Sequence, residues 1–142
     1  MSDEKLTTAD YPLAEKRPEL IRGPRGAPLD AVTLDAVLAG DVTLQDLRIT
    51  PDALRLQAEV ARDANRGTLG ANFDRASELV DVPQDFIMQV YELLRPGRSK
   101  SKQPLLDAAG TLRETYGATR MAEFVEEAAH VYERRGLFTH RF

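Results

Sequence analysis

From residue 33 onward apolar residues return every three or four positions, the period of helices packed on one side. Leu34, Val37 and Leu38 repeat behind Thr33, a good N-cap, and ahead of Gly40, a C-terminal stop. Thr43 caps a second short turn through Leu44 and Leu47. Thr50-Pro51-Asp52 is the strongest local signal: a cap, a proline at the first helical position, and an acid at the positive end of the dipole. Leu54, Ala58 and Ala61 continue one face of that helix, with Leu56 and Val60 beside it. Gly67 and Gly70 predict a break or bend where this face ends. A further helix follows, with Phe73, Ala76, Leu79 and Val80 on its apolar side. Val82-Pro83-Gln84-Asp85 turns into another, striped by Phe86, Ile87, Val90, Tyr91 and Leu94 and stopped by Arg95-Pro96-Gly97. Pro104 opens the next, with Leu105, Leu106, Ala109, Leu112 and Tyr116 on one side, Gly110 inside it and Gly117 at its end. Met121, Phe124, Val125, Ala128, Val131 and Tyr132 make the last stripe, which closes at Gly136.

Upstream of this body the pattern changes. Pro12, Pro18, Pro24 and Pro28 recur within residues 1 to about 32, so no long helix fits there. The segment still carries Tyr11, Leu13, Leu20 and Ile21. Apolar residues on a segment without a long helix mean that it is either frayed or laid along another surface, a first hint of a partner. Alternation of the strand type is missing over any useful length. The predicted fold is therefore mainly α: a small orthogonal bundle of four to five helices behind an extended N-terminal arm. A single domain over residues 1–142 is expected, with the arm at 1–32, the helical body at 33–137 and a loose tail at 138–142.

Composition narrows the function. The formal charge of -4, with basic residues scattered among acids, lacks the electrostatic footprint of a nucleic-acid binder. The absence of cysteine excludes disulfides, thiolate zinc sites and a cysteine nucleophile. The polar, acidic N-terminus is not a secretory signal, and no apolar run approaches the roughly 18 residues of a membrane span. These features predict a cytoplasmic protein with neither nucleic acid nor membrane as its partner.

Candidate chemistry is sparse. The histidines are His130 and His140. Glu126, four residues before His130, makes a ligand pair geometrically available, but a metal needs further converging ligands, and a helix-surface ion pair is the preferred reading. Glu123, Glu126 and Glu127 alternate with Arg120, Arg134 and Arg135, as on a solvated charged face. Gly23-Pro24-Arg25-Gly26 lacks the spacing and the preceding strand of a phosphate loop. Arg95 to Lys102 is the one basic cluster; it suits either a grip on an acidic partner or a soluble interhelical loop. The residues alone thus describe a helical interaction or structural module without catalytic, cofactor-binding or metal-ligating residues.

Several segments, in order and in register, resemble one family. They are Asp10-Tyr11-Pro12-Leu13-Ala14, Thr33-Leu34, Val37-Leu38, Gln45-Asp46-Leu47-Arg48-Ile49, Gln57-Ala58, Asn72-Phe73, Arg75-Ala76, Val82-Pro83, Leu94-Arg95-Pro96 with Arg98-Ser99, Phe124-Val125, Glu127-Ala128-Ala129 and Val131-Tyr132. From about residue 9 to about residue 137 they look like the small, or gamma, subunit of coenzyme-cobalamin-dependent propanediol and glycerol dehydratases. The resemblance implies a dimer of heterotrimers with large and medium subunits. It also implies a radical conversion of a 1,2-diol to an aldehyde and water. Adenosylcobalamin and a metal cation belong to the holoenzyme, and none is bound by this chain. It implies no catalytic residue here, an isolated chain that is inactive, and packing mainly on the large subunit. Tyr11, Pro12 and Leu13 in the arm, with Arg95, Pro96, Arg98 and Ser99 in the basic loop, are the expected contact residues. Gly97 departs from the bulky residue usual in relatives, and Gly110 from a helix-favouring acid. The long N-terminal extension that the resemblance ties to microcompartment packaging is missing, so microcompartment association stays open without that support. Two other readings stay open: a free-standing helical adaptor or regulator, and an independent small enzyme, which the scarcity of histidine and cysteine disfavours.

Overall fold

The computed structural model describes residues 4–139, which form two compact units, one ending at Val80 and one starting at Asp81. Helices make up both. The first unit holds α1 (Leu13–Lys16), α2 (Leu34–Ala39), α3 (Pro51–Asp63) and α4 (Gly67–Leu79); the second holds α5 (Gln84–Leu94), α6 (Gln103–Glu114) and α7 (Thr119–Arg134). The five helices from α3 onward are the predicted bundle members. No strand occurs among the described residues, only one isolated antiparallel bridge between Arg22 and Pro28.

Sequence punctuation sets most boundaries. Thr33 accepts a hydrogen bond from the Ala36 amide, Thr43 from the Gln45 amide and Thr50 from the Ala53 amide, the three predicted caps. Gly40 ends α2 at φ 82° and Gly97 follows α5 at φ 80°, both in the left-handed region that glycine enters without a Cβ penalty. One boundary differs from expectation. The break between α3 and α4 falls just before Gly67, where Asn65 takes φ 59°. Gly70 serves another purpose. It is buried where α4 packs on α3, and a Cβ there would lie 3.0 Å from Arg62 Cγ and 3.1 Å from the Ala58 carbonyl oxygen.

The arm is not a free extended strand. Short 3-10 turns at Thr8–Asp10, Pro18–Leu20 and Leu29–Ala31 alternate with α1, consistent with prolines that forbid anything longer. Leu6 and Leu13 are 4% and 2% exposed and pack with Val60 of α3, with Leu20, Ile21 and Leu56 around them. Carboxylates of α3 hold the arm in place. Glu59 Oε2 accepts from the Leu6 amide at 2.9 Å, and Asp63 Oδ2 accepts from the Thr8 amide at 2.7 Å. The surface along which the arm lies is thus α3 of its own unit.

In the second unit α6 packs on α7 through Leu105, Ala109 and Leu112 on one side and Ala122, Val125 and Ala129 on the other, all essentially without exposure. The buried face of α7 is rotated from the predicted stripe. Ala122 and Ala129 replace Met121, Phe124 and Ala128, and Phe124 is 40% exposed. Small residues let two helix backbones come close, whereas a reading by hydrophobicity gives weight to the large side chains. Tyr116 meets Phe86 at a ring distance of 5.5 Å, and Tyr132 donates to the Leu94 carbonyl at 2.6 Å. These contacts tie α5 to the α6–α7 pair.

Candidate functional site

The seven predicted contact residues separate by exposure. In the arm, Tyr11 is 60% exposed, whereas Leu13, two positions on, is in the core. Pro12 between them is half-buried and joined to Tyr11 by a cis peptide. Tyr11 edges an open cleft of about 370 Å³ whose walls are Thr8 from the arm, Val60 and Ala64 from α3 and its end, and Leu69 and Phe73 from α4. Leu13 holds this end of the arm down, and Tyr11 is what the arm presents outward.

The basic loop is tied to its own unit. Arg95 Nη1 donates to Glu92 Oε1 at 3.0 Å, Arg98 approaches the same carboxylate at 3.9 Å, and Lys102 pairs with Glu133 at 2.9 Å. Ser99 is buried, and its hydroxyl donates to the Leu93 carbonyl at 3.0 Å. Arg95, Pro96 and Arg98 stay exposed, so this face offers guanidinium groups already half-neutralised by Glu92. Surface pairs of this kind contribute little stability, about 0–1 kcal/mol each.

Glu126, read from sequence beside His130, is gripped instead by Arg113 of α6. Arg113 Nη1 and Nη2 donate to the two carboxylate oxygens at 2.6 and 2.9 Å, a bidentate fork. Arg113 holds the Glu126 carboxyl below its ordinary pKa, with His130 adding a smaller pull. Among the described residues no group of three or more His, Cys, Asp or Glu side chains is placed to hold a metal ion. His140 lies outside the described residues.

Gly23-Pro24-Arg25-Gly26 has a structural use that sequence did not reveal. The turn closes with the Gly26 amide on the Gly23 carbonyl at 2.9 Å and carries Arg25 to Asp46. Asp46 is buried at the foot of the Thr43-capped turn. Its carboxylate accepts from Arg25 Nε at 2.8 Å, from Arg25 Nη2, and from the Thr43 amide at 2.9 Å. Gly23 is required here, since a Cβ would stand 2.7 Å from the Asp46 carbonyl oxygen. The Arg25 hydrogen bonds, followed by that from the Thr43 amide, lower the Asp46 pKa from 3.8 to about 2. A lowered carboxylate pKa means that the stabilisation is complete above about pH 4 and is lost as pH falls toward 2. Asp46→Asn should therefore lower the melting temperature at neutral pH and flatten its decline between pH 4 and 2. Thermal melts across that window check this, and equal slopes for both proteins would contradict it.

An unanticipated feature lies in the segment that leads into this anchor. Leu34 and Leu38 of α2 are 72% and 76% exposed, and Leu44 is 83% exposed, although helical spacing alone would assign them to a core. Exposure cannot be read from spacing, because spacing says which side chains share a face and not what that face meets.

Comparison with known proteins places the whole chain. The family described as dehydratase small subunit matches residues 6–139. The chain is 50% identical over 126 residues to a propanediol dehydratase small subunit of Citrobacter freundii, covering 89% of this chain and 73% of the relative. It is equally similar, 50% over 127 residues with the same two coverages, to a propanediol dehydratase small subunit of Salmonella typhimurium strain LT2.

Proposed function

This chain belongs to the dehydratase small-subunit family, and from that premise we propose that it serves as the supporting small subunit of a diol dehydratase, assembled with a large and a medium subunit as a dimer of heterotrimers. The observation that carries this reading is a family match running from residue 6 to residue 139, joined by 50% identity over 126 residues to a named relative, too long to reflect one shared motif. The enzyme removes water from a 1,2-diol to give an aldehyde. Propanediol is the substrate named for both relatives, and we take it, with glycerol as the alternative, as the substrate class here.

Adenosylcobalamin supplies the radical chemistry of such an enzyme when bound. The residues of this chain do not suit it or a cation. Asp46, Asp63 and Glu126 are each engaged by an arginine or a backbone amide, and the described residues hold no metal-ligand cluster. On the family match we assign cofactor, cation and substrate to the partner chains, and to this chain the work of binding and bracing them. Residues 4–139 contain no helix long and apolar enough to cross a membrane. We place the complex in the bacterial cytoplasm.

Co-expression with tagged large and medium dehydratase subunits tests the assembly. The chain should co-purify at a fixed ratio and elute with its partners at one size. Elution of this chain alone, while the other two subunits associate without it, contradicts the reading and favours a free-standing adaptor.

A further inference from the structure

The segment from α2 to Ile49 has the makeup of a docking surface. Leu34, Val37 and Leu38 stand at i, i+3 and i+4, hence on one face of α2, and are 72%, 46% and 76% exposed. The Gly40 cap turns the chain into the Thr43–Leu47 turn, where Leu44, Leu47 and, just beyond, Ile49 are 83%, 57% and 55% exposed. These six side chains are between 46% and 83% exposed, and clustered exposed apolar residues mark interaction sites on a protein surface. α2 gains little from its own unit. It spans six residues, none of them buried. An isolated helix shorter than about 12 residues is marginal in water, so packing from outside would stabilise it.

Charge selects the occupant. Asp30, Asp35 and Asp41 are exposed along the same segment and outnumber its one exposed arginine, Arg48, which donates to the Val80 carbonyl at 3.2 Å. Asp46 is already engaged by Arg25. A second copy of this chain docked symmetrically would set the patch, with its carboxylates, against itself, which like charges oppose. Anionic lipid is repelled for the same reason. A protein surface with an apolar centre and a lysine or arginine border fits.

Resting on the subunit reading above, we propose that residues 34–49, bordered by Asp30, Asp35 and Asp41, are the surface by which this chain docks a larger dehydratase subunit that presents an apolar face rimmed by basic residues. Arg25 and Asp46 lock the turn that carries half of this surface, so the buried pair pre-forms the interface.

A photo-crosslinking amino acid placed at position 38 or 44 in the co-expressed complex tests the location without depending on a destabilising substitution. Illumination should join this chain to the larger subunit. Crosslinks to a second copy of this chain, or none from either position in a complex that has assembled, overturn the docking surface and leave the subunit reading standing; failure of the complex to assemble overturns both. In the same complex the pair Leu38→Asp and Leu44→Asp should weaken retention at least about tenfold. The triple Asp30→Lys, Asp35→Lys, Asp41→Lys should slow association and reverse its dependence on salt. Unchanged retention of both variants would also refute the assignment.

Discussion

Leu13→Ala should destabilise the first unit by about 2–5 kcal/mol, a large part of the roughly 5–15 kcal/mol that holds a domain of this size. The residue is 2% exposed and seats the arm against Leu6 and Val60. Truncation would open a cavity under α1, next to a stretch of arm whose backbone Glu59 and Asp63 hold in place at Leu6 and Thr8. The two amide bonds from Leu6 and Thr8 would then hold an arm with little apolar anchorage. Denaturant unfolding of the isolated chain, followed by helical circular dichroism, reads the effect directly. Tyr11→Ala, at a side chain 60% exposed, should stay within about 0.5 kcal/mol in the same assay. A Leu13 variant as stable as wild type would mean that Leu13 acts only in the assembled complex, as a contact residue, and not as the anchor of the arm.

Gly70→Val should cost about 1–3 kcal/mol by overpacking, although glycine is a poor helix former and its replacement ordinarily strengthens a helix. The new side chain would meet the Ala58 carbonyl, which is backbone and cannot swing aside, and the stem of Arg62, whose guanidinium is engaged by Asp74. Relief through Arg62 would therefore disturb an ion pair whose carboxylate is largely buried. Gly110 supplies the control. It also lies inside a helix, but a Cβ there meets nothing within 4 Å, so Gly110→Ala should add up to about 1 kcal/mol. Opposite signs at the two glycines, measured by thermal unfolding, are the expected result. A stabilising Gly70→Val would show that α3 and α4 pack less closely than described.

The contrast between those glycines shows what sequence could and could not convey. Caps and stops at Thr33, Gly40, Thr50-Pro51 and Arg95-Pro96-Gly97 are local chemistry, and the chain states them openly. The start of α4 is not so marked. Its N-terminal flank Arg66 makes no side-chain cap, and the turn is made by Asn65 in a conformation that no neighbouring residue announces. The α7 face was misplaced because close helix packing chose Ala122 and Ala129 over bulkier neighbours. Long-range anchors were the hardest to foresee. Arg25 with Asp46, Arg113 with Glu126, and the α3 carboxylates on the arm amides join residues 21, 13 and more than 50 positions apart. Such pairs leave no periodic trace.

The same limit applies to the candidate interface. Family resemblance pointed to the arm and the Arg95–Ser99 loop as contact residues, and there the structure presents Tyr11, Arg95 and Arg98 outward while turning Leu13 and Ser99 inward. The broad apolar face of residues 34–49 looked from its spacing like ordinary core. Only the exposure of α2 on nearly every side distinguishes it.

This chain supports a dehydratase without performing its chemistry. The most direct measurement is diol dehydration by purified large and medium subunits with added adenosylcobalamin, in the presence and absence of this chain. Aldehyde production that falls away without the chain and returns when it is added back is the predicted result, with no turnover by the chain alone. Full activity and an intact assembly in its absence would contradict the account.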